Sequence, residues 1–215
     1  DSDFEGIETR TWIGPEYWSN PMQDWQVSND KIECLVSNEN RNIHLLTNQL
    51  GSNNGDLEMS IQLGFINLSE SQNNKNWAGF SIGSKGKFDD YRDNAIYGKG
   101  INIGISSNGS IFIGDPSMNR KNDTILKLLS HGVLLKVTAV PYKDFYSINF
   151  SVHDIETGHI LANISKQKIA KEELIGDLVL VSNFESLEEG IVNNTKSVWF
   201  KNWKIKGSKN RPNNL

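Results

Sequence analysis

From Ile32 onward, hydrophobic and polar residues alternate with a period of two, as expected of strands that bury one face. Leu57, Met59, Ile61 and Leu63 alternate with polar neighbours, and Val133, Leu135, Val137 and Ala139 repeat the pattern. So do Tyr146, Ile148, Phe150 and Val152, which places Ser147, Asn149, Ser151 and His153 on the other side. Residues 101–107, then Asn108-Gly109, then 110–113 predict a hairpin, because Asn-Gly accepts the positive φ angles of a type I′ turn. Glu156-Thr157-Gly158 predicts a second hairpin connection, leading into 160–164. Further strands are predicted at 177–182 and 197–206. One segment, 168–175, sets Ile169, Leu174 and Ile175 among Lys and Glu and predicts a helix too short to be stable without packing.

About twelve short strands with one short helix predict an all-β fold, a two-sheet antiparallel β-sandwich. The length of 215 residues suits a single domain over 1–207, with 208–215 as a polar tail or linker. Hydrophobic residues at 37% and charged residues at 22% exclude wholesale disorder. A net charge of −4 gives no basic footprint for nucleic acid, and no apolar stretch is long enough for a membrane span. The first residue is Asp1, which fits a removed signal peptide and a trimmed chain equally. Cys34 is the one cysteine, so no disulfide framework is available, and it is expected as a small buried hydrophobe.

Three groups of residues could carry chemistry. Asp89, Asp90, Tyr91, Arg92, Asp93 and Asn94 form the most polar compact motif. Asp89, Asp90 and Asp93 could give oxygen ligands to calcium, and Arg92 could bind a polar ligand; the alternative is a solvated loop with Arg92 paired to a neighbouring carboxylate. Tyr97 and Lys99 follow closely. In the second group, strand alternation puts Asn42 and His44 on one face and Arg41 on the other, so one face offers an amide and an imidazole. Third, Trp18 belongs to an early aromatic cluster with Trp12, Tyr17 and Trp25, and Trp77 follows the polar run 69–76; both could stack on the apolar face of a sugar ring, while Trp199 or Trp203 is expected in the core. There is no Gly-x-Ser-x-Gly elbow and no phosphate-binding glycine loop.

The closing strand Val198-Trp199-Phe200-Lys201-Asn202-Trp203-Lys204-Ile205-Lys206-Gly207 resembles that of concanavalin-like (laminin-G-type) jelly rolls. Jelly-roll glycosidases resembling laminarinases usually show Glu-x-Asp-x-x-Glu on one strand, and this chain has no such string. Three blocks resemble the N-terminal accessory domain of exported bacterial proteins with a PhoD-like alkaline phosphatase domain. They are Trp12-Ile13-Gly14-Pro15-Glu16-Tyr17-Trp18, Asn40 to Thr47, and Gly86 to Asp93 continuing through Tyr97-Gly98-Lys99-Gly100. That resemblance implies a secreted, periplasmic or cell-surface location and a covalently linked catalytic domain.

The expected function is a non-catalytic carbohydrate-binding or accessory domain. It would recognise a polysaccharide or oligosaccharide through Asn42, His44, Trp18, Trp77, Arg92, Tyr97 and Lys99, with calcium as an optional ion. One alternative is a jelly-roll polysaccharide lyase or other glycoside-cleaving enzyme built on His44, Tyr97, Arg41 and Lys99. A second is a structural spacer packed on a phosphatase domain.

Overall fold

A computed structural model describes residues 9–68, 72–87, 94, 96, 98–118, 120–185 and 193–212. Its strands form two antiparallel sheets. The first runs β1 (Tyr17–Asn20), β4 (Arg41–Leu50), β12 (Gly176–Asn183), β6 (Trp77–Lys85), β7 (Lys99–Ser106) and β8 (Ile111–Ile113), and β14 (Asn210–Pro212) also pairs with β4. The second runs β11 (Ile160–Ala170), β10 (Phe145–Asp154), β9 (Val133–Tyr142), β5 (Leu57–Phe65), β13 (Val198–Lys206), β3 (Lys31–Cys34) and β2 (Trp25–Ser28). This is the all-β sandwich that the alternation predicts.

The core lies between the sheets, and it is built from the alternating positions. β5, β9 and β10 bury Leu57 to Leu63, Val133 to Ala139 and Tyr146 to Val152 in alternation. The first sheet adds Ile43, Phe80, Ile82, Ile103, Leu178 and Leu180 from its inner face. Burying a side chain of this size stabilises by roughly 1.5–3 kcal/mol, so the inter-sheet layer dominates the folding energy. Trp203 joins this core and stacks on Tyr17. Trp199 faces outward from the second sheet and lies under the Lys31 ammonium at 4.0 Å.

Two local expectations need correction. An α-helix forms at α1 (Asp123–Leu128), and 168–175 does not form one. Asn122 caps it by accepting from the amides of Thr124 and Ile125, and Ile125 and Leu129 anchor it in the core. Within 168–175, Lys168 takes a positive φ of 60° and Ile169 pairs with Tyr146, so β11 continues to Ala170 before one 3-10 turn at Lys171–Leu174. The Asn108-Gly109 hairpin forms, but only Gly109 has positive φ, and its amide bonds the Ser106 carbonyl. That is a type I turn closed by a left-handed glycine rather than type I′.

Cys34 is buried, with its thiol directed at the Val36 carbonyl. Burial pushes the thiol pKa up, which disfavours the reactive thiolate. Folded protein is therefore expected to resist a thiol-labelling reagent that modifies it fully in urea. Equal labelling rates in buffer and in urea would contradict that placement.

Candidate functional site

The outer face of the first sheet is where period-two strands expose their second set of residues. Antiparallel register arranges them in rows across the strands. One row reads Trp18, His44, Val179, Ser81, Asn102, from β1 to β7. The next reads Asn20, Asn42, Val181, Gly79, Gly104, Phe112, from β1 to β8. A small apolar cluster, separate from the core, forms on this face from Trp77, Phe112, Val179 and Val181. Trp77 meets Phe112 edge-on, with ring centroids 5.2 Å apart.

His44, Val179, Ser81 and Asn102 of the first row and Asn42 and Val181 of the second line a half-open cleft of about 370 Å³. Its floor is Gly100, Asn102, Ser81 and the two valines; its walls carry Trp77, Asn183 and the Asn42–His44 pair. Lys99 stands exposed at one rim. Such a cleft combines an aromatic wall with many amides and hydroxyls, each able to donate or accept.

The deepest polar feature is a chain of three side chains. The Gly86 amide donates to Asn94 Oδ1, and Asn94 Nδ2 donates to Asp177 Oδ2 at 3.1 Å. The same carboxylate oxygen lies 3.1 Å from His44 Nδ1. All three side chains are buried, His44 at 2% and Asp177 at 4% exposure. The backbone brings them together through two register breaks. Pairing with β4 jumps from Asp177↔Gln49 to Val179↔His44, and pairing with β6 jumps from Asp177↔Ser84 to Leu178↔Ile82. Bulges on both neighbours re-aim side chains at Asp177 and open the space that Asn94 fills.

Of the residues singled out from the sequence, Asn42, His44, Trp77 and Lys99 line this one cleft. Trp18 is half-buried and pairs directly across from His44, on the same face. Arg41 is not brought to His44: its guanidinium bonds Asp24 at 2.8 Å and the Glu39 carbonyl at 2.8 Å. Asp89, Asp90, Arg92, Asp93 and Tyr97 lie outside the described residues. Among the described residues no three His, Cys, Asp or Glu side chains converge as a metal site, and Asp177 is already engaged by His44 and Asn94. Sequence reading missed Asp177, Asn102 and Ser81. Their one signal was a polar residue at the outward position of an otherwise apolar strand, as in Ile101-Asn102-Ile103.

Neither a family model nor a curated relative matches the chain, so the resemblance to phosphatase-linked proteins rests on its three sequence blocks. Solved structures do match. The likeness is one of fold. Arcelin-5, a lectin-like defense protein from Phaseolus vulgaris, superposes with a TM-score of 0.57 at 8% identity, over 94% of this chain and 97% of arcelin. Lectin I-B4 from Griffonia simplicifolia gives 0.56 at 9% identity, over 96% of this chain and 97% of that one. The carbohydrate recognition domain of Emp46p gives 0.52 at 10% identity, over 88% and 86%. The architecture is thus a lectin-like, concanavalin-like jelly roll. Among the described residues, no helix is long and apolar enough to cross a membrane.

Proposed function

We propose that this chain is a carbohydrate-binding domain, and that an oligosaccharide lies in the outer-face cleft between His44 and Lys99. The observation that carries this reading is the cleft itself, where amides and hydroxyls gather beside Trp77, whose ring is held edge-on by Phe112. The lectin-like fold and the carbohydrate recognition domain that shares it support the same reading. Sugar hydroxyls need partners that both donate and accept, which asparagine and serine supply, while a pyranose ring presents an apolar face to an aromatic side chain.

Asn102 is the informative residue for a test. Its side chain is half-exposed on the cleft floor and bonds no described residue, so its removal costs little stability. Asn102→Ala is expected to weaken retention on a glycan array about tenfold, the loss of roughly one good hydrogen bond, with the melting temperature unchanged. Trp18→Ala, across the β1–β4 ladder from His44, is expected to act in the same direction. If no glycan on a broad array retains the protein, or if both variants bind like wild type, the reading fails.

A catalytic reading draws on one feature, the imidazole held by a carboxylate in a cleft. Arg41 is committed elsewhere and Tyr97 lies outside the described residues, so His44 and Lys99 remain of the lyase set. Incubation with uronate-containing polysaccharides separates the two readings. Binding without new ultraviolet absorbance keeps the first, whereas absorbance that His44→Phe abolishes replaces it.

A further inference from the structure

We infer that the Asn94–Asp177 pair fixes His44 as a hydrogen-bond acceptor toward the cleft, so that the site selects a glycan with a free hydroxyl at that point. The inference rests on the glycan reading of the cleft and adds the chemical requirement of one subsite. It starts from a group whose role cannot be reversed. The backbone amide of Gly86 can only donate, and its partner on Asn94 is therefore the oxygen. The Asn94 nitrogen then faces Asp177, to which it donates. An ionised carboxylate only accepts, so the His44 nitrogen at 3.1 Å from the same Asp177 oxygen must carry a proton.

A neutral His44 is thereby held with its proton on Nδ1. Its Nε2 keeps the lone pair, and His44 is among the residues that line the cleft. Among the described residues, the hydrogen bond of the His44 ring is the one from Nδ1 to Asp177. A ligand hydroxyl can donate to it; an ether oxygen cannot. Asp177 and Asn94 act here as positioning residues, since their effect on a ligand passes through the imidazole.

The consequence is a discrimination between otherwise similar sugars. A glycan with its hydroxyl free is expected to bind, and its O-methyl counterpart leaves the Nε2 lone pair unmatched, with an expected loss of about tenfold or more. The amides nearby do not discriminate in this way, because each can turn a donor or an acceptor toward the ligand.

Two measurements test this. The first is a two-bond proton–nitrogen correlation spectrum of the imidazoles in ligand-free protein at about pH 8, above the ordinary histidine range. His44, assigned by the signals missing in His44→Gln, is expected as the Nδ1–H form, and Asn94→Leu is expected to weaken that preference. The second is titration with methyl α-D-mannopyranoside, methyl β-D-galactopyranoside and methyl β-D-glucopyranoside, each against its fully O-methylated derivative. At least one free glycoside is expected to move the Nε2 resonance while its methylated form does not. An Nε2–H tautomer, or equal binding of free and methylated sugars, overturns the inference and leaves the glycan reading standing. No retention on any glycan of the array overturns both, whatever the tautomer.

Discussion

Replacing Lys209 with alanine is expected to lower the unfolding free energy by about 3 kcal/mol, a larger cost than a polar tail residue would suggest. Lys209 is completely buried. Its ammonium donates to the carbonyls of Gly51 at 2.9 Å and Asn53 at 3.3 Å, and sits 4.8 Å from the Tyr146 ring centroid. Its backbone is tied on both sides, with N–H to the Asp56 carbonyl and C=O from the Gly51 amide. Truncation would leave two carbonyls without their charged donor and remove the packing of a four-carbon stem. It would also loosen β14, which pairs Asn210 with Leu50 one residue later. Urea denaturation measures the effect, with exposed Lys206→Ala as the control, expected within about 0.5 kcal/mol of wild type. A Lys209→Ala midpoint equal to that of Lys206→Ala would refute the latch.

Alkaline titration gives the same residue a second readout. Burial depresses the Lys209 pKa, so the folded state holds that proton less tightly than the unfolded chain does. Its contribution to stability therefore rises with pH, from the depressed folded value up to the ordinary lysine range, and Lys209→Ala should flatten that rise. Tyr146 works in the opposite sense. Its hydroxyl, pushed up by burial, stabilises below the ordinary tyrosine range and loses that contribution as pH climbs through the raised value.

The Lys209 latch also marks where the sequence ceases to be readable. Ser208 to Asn214 has the composition of a linker, yet through Pro212 the chain is bonded to Asp56, Gly51 and β4. Nothing local predicts that, because the partners lie more than 150 residues away in the chain. The strands were legible for the converse reason. In β5, β9 and β10 a single face is buried, so every second residue reports it regardless of partner. The same logic placed Asn42 and His44 together on the outer face.

It could not find Asp177, whose meeting with His44 depends on bulges in two neighbouring strands and on Asn94 from another part of the chain. The helix went astray through local pattern alone. Residues 168–175 carry a helical mix of Lys, Glu and Ile, but the ladder to β10 claims Ile169, and the helix forms where Asn122 supplies a cap. Trp77 was legible as an aromatic beside a polar run. The packing that holds it was not, since Phe112 comes from a different strand.

The second large effect is expected beside the cleft, where β6 pairs with β7 next to Trp77 and Val181. Gly79 and Gly104 face each other across β6 and β7, between Val181 on one side and Phe112 on the other. A Cβ on Gly79 would come 2.3 Å from the Ile103 carbonyl oxygen and 2.6 Å from the Gly104 Cα, both backbone atoms inside the ladder. Neither can swing aside, so Gly79→Ala must push the two strands apart. A Cβ on Gly104 would likewise lie 2.4 Å from the Ala78 carbonyl oxygen and 3.2 Å from the Trp77 ring. The paired glycines thus let β6 and β7 close with the Trp77 ring packed against Gly104, which sets where Trp77 stands in the cleft lining. Gly158→Ala supplies the comparison. That glycine also has positive φ, at 73°, but nothing lies within 4 Å of its added Cβ. It should cost only the backbone penalty of about 1–2 kcal/mol. Gly79→Ala is expected to lose about 3 kcal/mol or more and to abolish glycan retention even where the protein stays folded. Equal melting temperatures for the two variants would show that the strands can part without cost. The glycine pair would then be incidental to the cleft.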